Sequence, residues 1–251
     1  MSCKAVIFDY IGTLVNCRNY SIEVSEDNLY LALVSEGFVL SKDRFLQEYK
    51  KAHQKYRKVR YEQYREVTNA VWVAEALCNL GFNVTTNDCR IQTALAVFFK
   101  DFIDTLQLRR GAKNLIKTAA KHGRVGLVSN FTCAPVIYKS LRHLGLNELF
   151  QAVLVSDEFG WRKPSERIFK EALIKLKVQP NEAVYIGDSP IEDMKGAIDA
   201  GLKTVFVSSQ FFSLDDLLES GQRPDFETKE LKSVSDNLAK ILSQPRKRRQ
   251  V

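Results

Sequence analysis

The chain has 251 residues, 45% hydrophobic and 27% charged, with a formal net charge of +7, the profile of a globular protein long enough for one large domain or two modest ones. No apolar stretch approaches the ~20 residues that span a bilayer, and the opening residues lack the charged and apolar regions of a signal peptide, so a cytoplasmic protein with no membrane partner is expected. Its five cysteines are odd in number, scattered and without CxxC spacing, which argues against a disulfide framework or a zinc site.

The first element is the short apolar run Ala5-Val6-Ile7-Phe8, closed by Asp9, Gly12 and Thr13. Such a run reads as a buried parallel strand that delivers Asp9 to its carboxyl end, where open α/β sheets keep their chemistry. About ninety residues of helical patterning follow. Ser25 is placed to cap a helix with Leu29, Leu33 and Val34 on one face, and Ser41 a longer one with Phe45, Tyr49, Ala52 and Tyr56. A third runs through Val71, Trp72, Ala76 and Leu77 to Gly81, and a fourth from Asn87 or Asp88 along Ile91, Leu95, Phe98, Phe99, Phe102 and Leu106. Four amphipathic helices on short connections read as a small bundle inserted after the first strand.

The second of these helices is strongly basic. Residues 42–65 carry nine bases against three acids, and Arg246 to Arg249 add four more positive charges. The field would draw an anionic ligand, but like-charge runs of this kind are ordinarily solvated faces and chain ends, and nucleic acid is not the expected partner.

From Arg109 onward helices alternate with short apolar strands: Val125–Val128, Ala152–Val155, Ala183–Ile186 and Thr204–Val207, with helices around 111–122, 134–144, 165–177 and 191–200. That alternation is a βαβ series and predicts a parallel sheet with right-handed crossovers. The strand ends then share one edge. The second delivers Ser129 and Asn130, the third leads through Asp157 to Lys163-Pro164, and the fourth ends at Gly187-Asp188 with Asp193 beyond. A hydroxyl, an ammonium and three carboxylates converging without histidine suit nucleophilic attack by a carboxylate, with Mg²⁺ held by hard oxygen ligands and Lys163 and Ser129 orienting the transferring group. His53, His122 and His143 all lie away from the strand ends, which speaks against a histidine triad.

Asp9-Tyr10-Ile11-Gly12-Thr13-Leu14, Val128-Ser129-Asn130, Lys163-Pro164 with Phe169, and Gly187-Asp188-Ser189-Pro190-Ile191-Glu192-Asp193 together resemble the four ordered motifs of the haloacid dehalogenase-like hydrolase superfamily. The resemblance spans almost the whole chain, and the helical insert is similar to that family's C1 type of cap. It implies a Rossmann-like α/β core at residues 1–15 and 109–245, a helical cap at 16–108 and a basic tail at 246–251. It also implies Asp9 as nucleophile, Ser129 and Lys163 on the phosphoryl oxygens, and Mg²⁺ on Asp9, Asp188, the supporting Asp193 and the backbone carbonyl of Ile11. Thr13 and Asn130 near the nucleophile, and Cys17, Arg18 and Tyr20 at the cap entrance, are the candidate substrate contacts.

Ile11 departs from the pattern. Phosphatases of the family have there a second aspartate that protonates the leaving alkoxide, and loss of a positioned general acid-base costs roughly 10²- to 10⁴-fold. The leading expectation is a Mg²⁺-dependent hydrolase, monomeric or homodimeric, acting on a small phosphorylated metabolite with slow or unusual proton transfer. Two alternatives stand beside it. One is a metal-independent 2-haloacid dehalogenase, whose halide needs no proton. The other is a catalytically silent protein that uses the basic helix on an acidic partner.

Overall fold

Strand β1 (Ala5–Phe8) is buried along its whole length and lies inside a six-stranded sheet in the computed structural model, which describes residues 3–246. The basic tail lies outside the described residues from position 247 on. The other sheet strands are β4 (Arg124–Ser129), β5 (Ala152–Val155), β6 (Ala183–Gly187), β7 (Lys203–Val207) and β8 (Phe226–Thr228). Their spatial order is β5-β4-β1-β6-β7-β8, and every pairing is parallel. The chain order reverses direction at β1, so Asp9 leaves the sheet at the switch point between β4 and β6, where a crevice opens beyond the strand ends.

The alternation within β1 decides what lies on each face. Val6 and Phe8 join one apolar cluster, with α7 (Ala112–Ala120), α8 (Ala134–His143) and α13 (Leu231–Ser243). Ala5 and Ile7 join a second, with α10 (Glu166–Leu176) and α11 (Gly196–Asp199). A strand buried on both faces needs the continuous apolar run seen in its sequence.

Between β1 and β4 the chain leaves the sheet through β2 (Val15–Cys17) and returns through β3 (Leu106–Leu108), which pair antiparallel as a two-stranded ribbon. The helices between them are α1 (Ile22–Ser35), α2 (Lys42–Lys55), α3 (Arg57–Tyr61), α4 (Asn69–Asn79), α5 (Cys89–Phe98) and α6 (Lys100–Thr105). Within that layer α1 packs on α5 and α2 on α4.

Several details differ from the sequence expectation. Ser21, not Ser25, caps α1 and accepts from the Val24 amide, because the helix begins one turn earlier and leaves Ser25 buried inside it. The basic helix stops at Lys55, and the aromatic-rich fourth pattern breaks at Phe99 into α5 and α6. Residues 190–199 form a π-type turn, Pro190–Lys195, running into α11. β8 and α13 lie beyond the elements that the sequence pattern predicts, β8 being three residues long and not fully buried at any position. Ser156–Phe159 (α9) and Leu214–Glu219 (α12) are short helical turns after β5 and β7. No helix among the described residues is long and apolar enough to cross a membrane.

Candidate active site

Three strand ends and one loop meet at a buried charged cluster. Asp9, Lys163, Asp188 and Asp193 are 6%, 1%, 3% and 1% exposed. Lys163 Nζ donates to Asp9 Oδ1 at 2.6 Å, Asp193 Oδ1 at 2.7 Å and the Tyr185 hydroxyl at 3.0 Å, which spends its three hydrogens. Asp193 is saturated: Oδ1 also accepts from the Tyr185 hydroxyl at 2.9 Å, and Oδ2 accepts from the Asp188 and Ser189 amides at 3.1 and 2.9 Å. Asp188 is held by Thr13 Oγ1 on Oδ1 at 3.0 Å and by Ser209 Oγ on Oδ2 at 2.6 Å. Asp9 Oδ2 is buried without a partner.

Local backbone chemistry makes this approach possible. Gly12 has φ +100°, and a Cβ there would collide with the Asp188 carboxylate. A Cβ at Gly187 would collide with Asp193 in the same way. Glycine is therefore required at both positions, for steric room at Gly187 and for room and conformation at Gly12. Arg109 fixes the turn from behind, with its guanidinium donating to the Gly12 carbonyl at 2.5 Å and to the Ser208 carbonyl at 2.6 Å. The Asn130 side chain clamps the Lys163 backbone at both ends, accepting from its amide at 2.8 Å and donating to its carbonyl at 3.0 Å.

The electrostatics are those of an incomplete site. Burial pushes the Asp9 carboxyl up to about 6, with the negative charge of Asp193 adding and the Lys163 ammonium opposing. Asp188 is pushed well above the usual carboxylate range by burial, then by Asp9 and Asp193, against the hydrogen bonds from Ser209 and Thr13. Burial also works against the Lys163 charge, but Asp193 and Asp9 outweigh it and hold the ammonium protonated well above its ordinary range. Fully ionised, three carboxylates and one ammonium leave two negative charges in a dry pocket. Oxygens of Asp9, Asp188 and Asp193 lie within 4.8 Å of one another, and that hard-oxygen donor set with its unmatched charge fits a divalent cation such as Mg²⁺.

The sequence candidates thus fall into two groups. Asp9, Thr13, Lys163, Asp188 and Asp193 meet directly, and Ser129 closes β4, buried beside them in the sheet order. Thr13 and Asn130 spend their side chains on Asp188 and on the Lys163 backbone, so they organise the cluster. Ile11 is half-buried and packs against the larger apolar cluster. Tyr20 lies edge-on to Phe102 at 5.2 Å, and Phe102 stacks on Phe131, the residue after Asn130, also at 5.2 Å. Arg18 is exposed and lines a separate cavity of about 760 Å³ with Arg110, Asn114 and Lys229. Of the nine bases in 42–65, Lys42, Lys50, Lys51, Lys55 and Arg60 are ion-paired, to Asp27, Glu26, Glu48, Glu75 and Glu66, which damps the field of that helix.

Tyr185, Ser209 and Arg109 escaped the sequence reading. Ser209 had a usable signal, since it follows β7 as Ser129 ends β4. Tyr185 is a phenol inside an apolar strand, a residue type that brings a polar handle needing a partner. Arg109 carried no such signal.

Comparison with known proteins agrees with this geometry. The family model described as "haloacid dehalogenase-like hydrolase" matches residues 3–201. The chain is 38% identical over 96 residues to a glyceraldehyde 3-phosphate phosphatase of Methanothermobacter thermautotrophicus, covering 38% of this chain and 42% of that protein. It is 38% identical over 113 residues to haloacid dehalogenase-like hydrolase domain-containing protein 3 of Bos taurus, covering 44% of each. The chain thus spans less than half the length of these curated relatives. Among solved structures, a 2-haloacid dehalogenase from Pseudomonas syringae superposes with a TM-score of 0.68 at 23% identity, covering 95% of this chain and 99% of that one. A β-phosphoglucomutase-like protein from Thermotoga maritima superposes with a TM-score of 0.58 at 19% identity, covering 95% and 100%. At those identities the superpositions speak for the fold alone. With the family model spanning most of the sequence and the fold matching along nearly its whole length, the chain belongs to the haloacid dehalogenase-like hydrolases.

Proposed function

We propose that this chain is a Mg²⁺-dependent phosphatase that hydrolyses a small phosphorylated metabolite through a covalent intermediate on Asp9. The observation that carries the reading is the composition of the site: three buried carboxylates against one ammonium, with an orphaned nucleophile oxygen, Asp9 Oδ2. Curated relatives named as phosphatases support the same chemistry. In this reading residues 1–15 and 109–245 are the catalytic core, and the helices within 16–108 are a cap that selects the substrate.

Asp9 and Asp188 have oxygens to offer a metal ion, whereas Asp193 is already satisfied and acts by holding Lys163 and the Asp188 backbone. A Mg²⁺ ion held by these residues would offset the carboxylate charge and polarise a phosphoryl oxygen. Lys163 and the Ser129 hydroxyl stabilise the charge on the other phosphoryl oxygens. Asp9 attacks phosphorus, the bond to the leaving oxygen breaks, and water then cleaves the aspartyl phosphate. Ile11 cannot protonate the leaving oxygen. Among the described residues the groups hydrogen-bonded to the three carboxylates are Lys163, Tyr185, Thr13, Ser209 and backbone amides, and burial and Asp193 hold the Tyr185 phenol well above its ordinary range. None of these is an acid poised near neutral pH, so turnover is slow unless the substrate or water supplies the proton.

The test is phosphate release from a panel of phosphorylated metabolites with and without Mg²⁺. The wild type turns over a substrate only with the ion, Asp9→Asn abolishes turnover, and Ile11→Asp accelerates it by roughly 10²- to 10⁴-fold. Silence of all three variants on every phosphate overturns the reading and leaves halide release or partner binding as the function.

A further inference from the structure

A second buried charge cluster lies outside the site, and nothing in the proposed reaction uses it. Its centre is Glu66, in the segment between α3 and α4, whose side chain is fully buried. Glu66 Oε1 accepts from Arg60 Nε at 2.8 Å and lies 3.7 Å from Arg162 Nη1, while Oε2 accepts from the Ser156 hydroxyl at 2.5 Å. Arg162 in turn donates to Glu192 Oε1 at 2.7 Å. Arg60 and Glu66 come from the helical layer, and Ser156, Arg162 and Glu192 from the core.

The core side of this cluster is the back of the catalytic loops. The Ser156 oxygen that serves Glu66 also accepts from the Phe131 amide at 2.9 Å, one residue after Asn130. Arg162 precedes Lys163, and Asn130 clamps the Lys163 backbone. One acid from the helical layer is therefore two hydrogen bonds, through the Ser156 hydroxyl, from the loop after β4 and one ion-pair contact from the loop that carries Lys163. The backbone reinforces the seam. The Glu66 amide donates to the Gly160 carbonyl at 3.1 Å and the Arg162 amide to the Tyr64 carbonyl at 2.9 Å, with Arg65 and Trp161 forming a β-bridge between those bonds. The Trp161 ring lies between two guanidinium groups, Arg65 at 4.5 Å from the helical layer and Arg167 at 3.8 Å from the core.

From this arrangement we infer that Glu66 is a positioning residue: docked against Ser156 and Arg162, it sets the loops that bear Asn130 and Lys163, so the phosphate-holding groups reach their geometry only when the helical segment is seated. With the acid fully buried and both guanidinium groups nearly so, the pair is weakly screened and tolerates a missing partner poorly. Withdrawal of Glu66 would leave Arg60 without its carboxylate and Arg162 with Glu192 alone, and the Lys163 loop would lose its fixed neighbour. The catalytic part of this inference rests on the phosphatase reading, and the structural part does not.

The experiment compares wild type, Glu66→Gln, Glu66→Ala and Ser156→Ala, all on a Trp72→Phe background that leaves Trp161 as the sole tryptophan. Amide hydrogen exchange is followed by mass spectrometry, with acrylamide quenching of Trp161 and kcat on the best phosphate substrate. Glu66→Ala is expected to speed exchange at least about tenfold in peptides covering 129–133 and 156–164, to raise quenching, and to leave β1 and β6 protected. Glu66→Gln keeps an acceptor for Ser156 and falls between, and kcat drops by about tenfold in Glu66→Ala with a smaller change in KM. Adding Ser156→Ala to Glu66→Ala costs little more than Glu66→Ala alone, since both remove the same link. Unchanged exchange in the two loops overturns the inference, as does a uniform rise over the whole sheet, which would mark a residue needed only for folding. If the wild type releases no phosphate, the phosphatase reading fails, while the exchange and quenching results still decide the role of Glu66.

Discussion

Two charge clusters draw on neighbouring residues, Arg162 beside Lys163 and Glu192 beside Asp193, and they are built on opposite principles. Around Asp9 there are three acids to one base, with one carboxylate oxygen unpartnered. Around Glu66 there are two acids, Glu66 and Glu192, to two bases, Arg60 and Arg162. The first is unbalanced and therefore suited to take up charge from outside. The second is balanced and holds two parts of the molecule together. Lys163 and Arg162 are consecutive, so one loop serves both clusters: the point-like ammonium turns into the site, and the planar guanidinium spans the seam.

The comparison can be broken most severely at Arg162. Arg162→Met takes from Glu192 its ion-pair partner and leaves Glu66 with Arg60 and Ser156 alone, and because Glu192 is part-exposed the cost falls below the about 3–5 kcal/mol of a fully buried pair. The expected result is a fall of about 1.5–3 kcal/mol in the unfolding free energy from urea melts, together with faster exchange at the Lys163 loop. A loss below about 1 kcal/mol would mean that the seam is hydrated and the balance irrelevant.

Asp188→Asn should act with the opposite sign on the metal-free protein. Removing one of three crowded carboxylates relieves repulsion, so the melting temperature in chelator rises by about 2–4 °C, the shift that roughly 1 kcal/mol produces in a chain of this size. The same variant should lose roughly tenfold or more in Mg²⁺ affinity, measured by calorimetry. A fall in the chelator melting temperature would show that the cluster is balanced after all.

The mildest test is pH. Asp9 is raised to about 6, so the folded protein binds a proton there that the unfolded chain, with its ordinary carboxylate, does not. Stability from this group in the metal-free protein is therefore fully present below the unfolded value and is lost as pH rises through about 6. Protons compete with the cation for the same oxygen, so Mg²⁺ affinity should weaken as pH falls through the same point. Affinity that stays flat between pH 7 and 5 would remove Asp9 from the ligand set.

Much of the sheet was legible in the sequence because its signal is local. A run such as Ala5–Phe8 can be buried on both faces only inside a parallel sheet, and helices between such runs force right-handed crossovers that bring all strand ends to one edge. By this logic Asp9 and Asp188 fall at strand ends, and Lys163 and Asp193 on the segments that follow β5 and β6. Helix boundaries were less secure, as Ser25 shows: Ser21 offers the same hydroxyl four residues earlier, and only the packing of α1 on α5 decides between them. β8 is too short and too polar to announce itself, and needs β7 beside it to exist.

The sequence by itself determined which chemistry the strand ends could offer, since side-chain types and their order along alternating elements survive without any knowledge of packing. Tertiary structure alone decided what each group spends its hydrogen bonds on. Thr13 and Asn130 turn away from the part of substrate contact and hold Asp188 and the Lys163 loop, Asp193 is saturated, and Tyr185 and Ser209 enter the cluster. Glu66 reaches Ser156 across 90 positions of chain. Such pairings depend on where a carboxylate meets its donors after folding, and no periodicity along the chain encodes that distance.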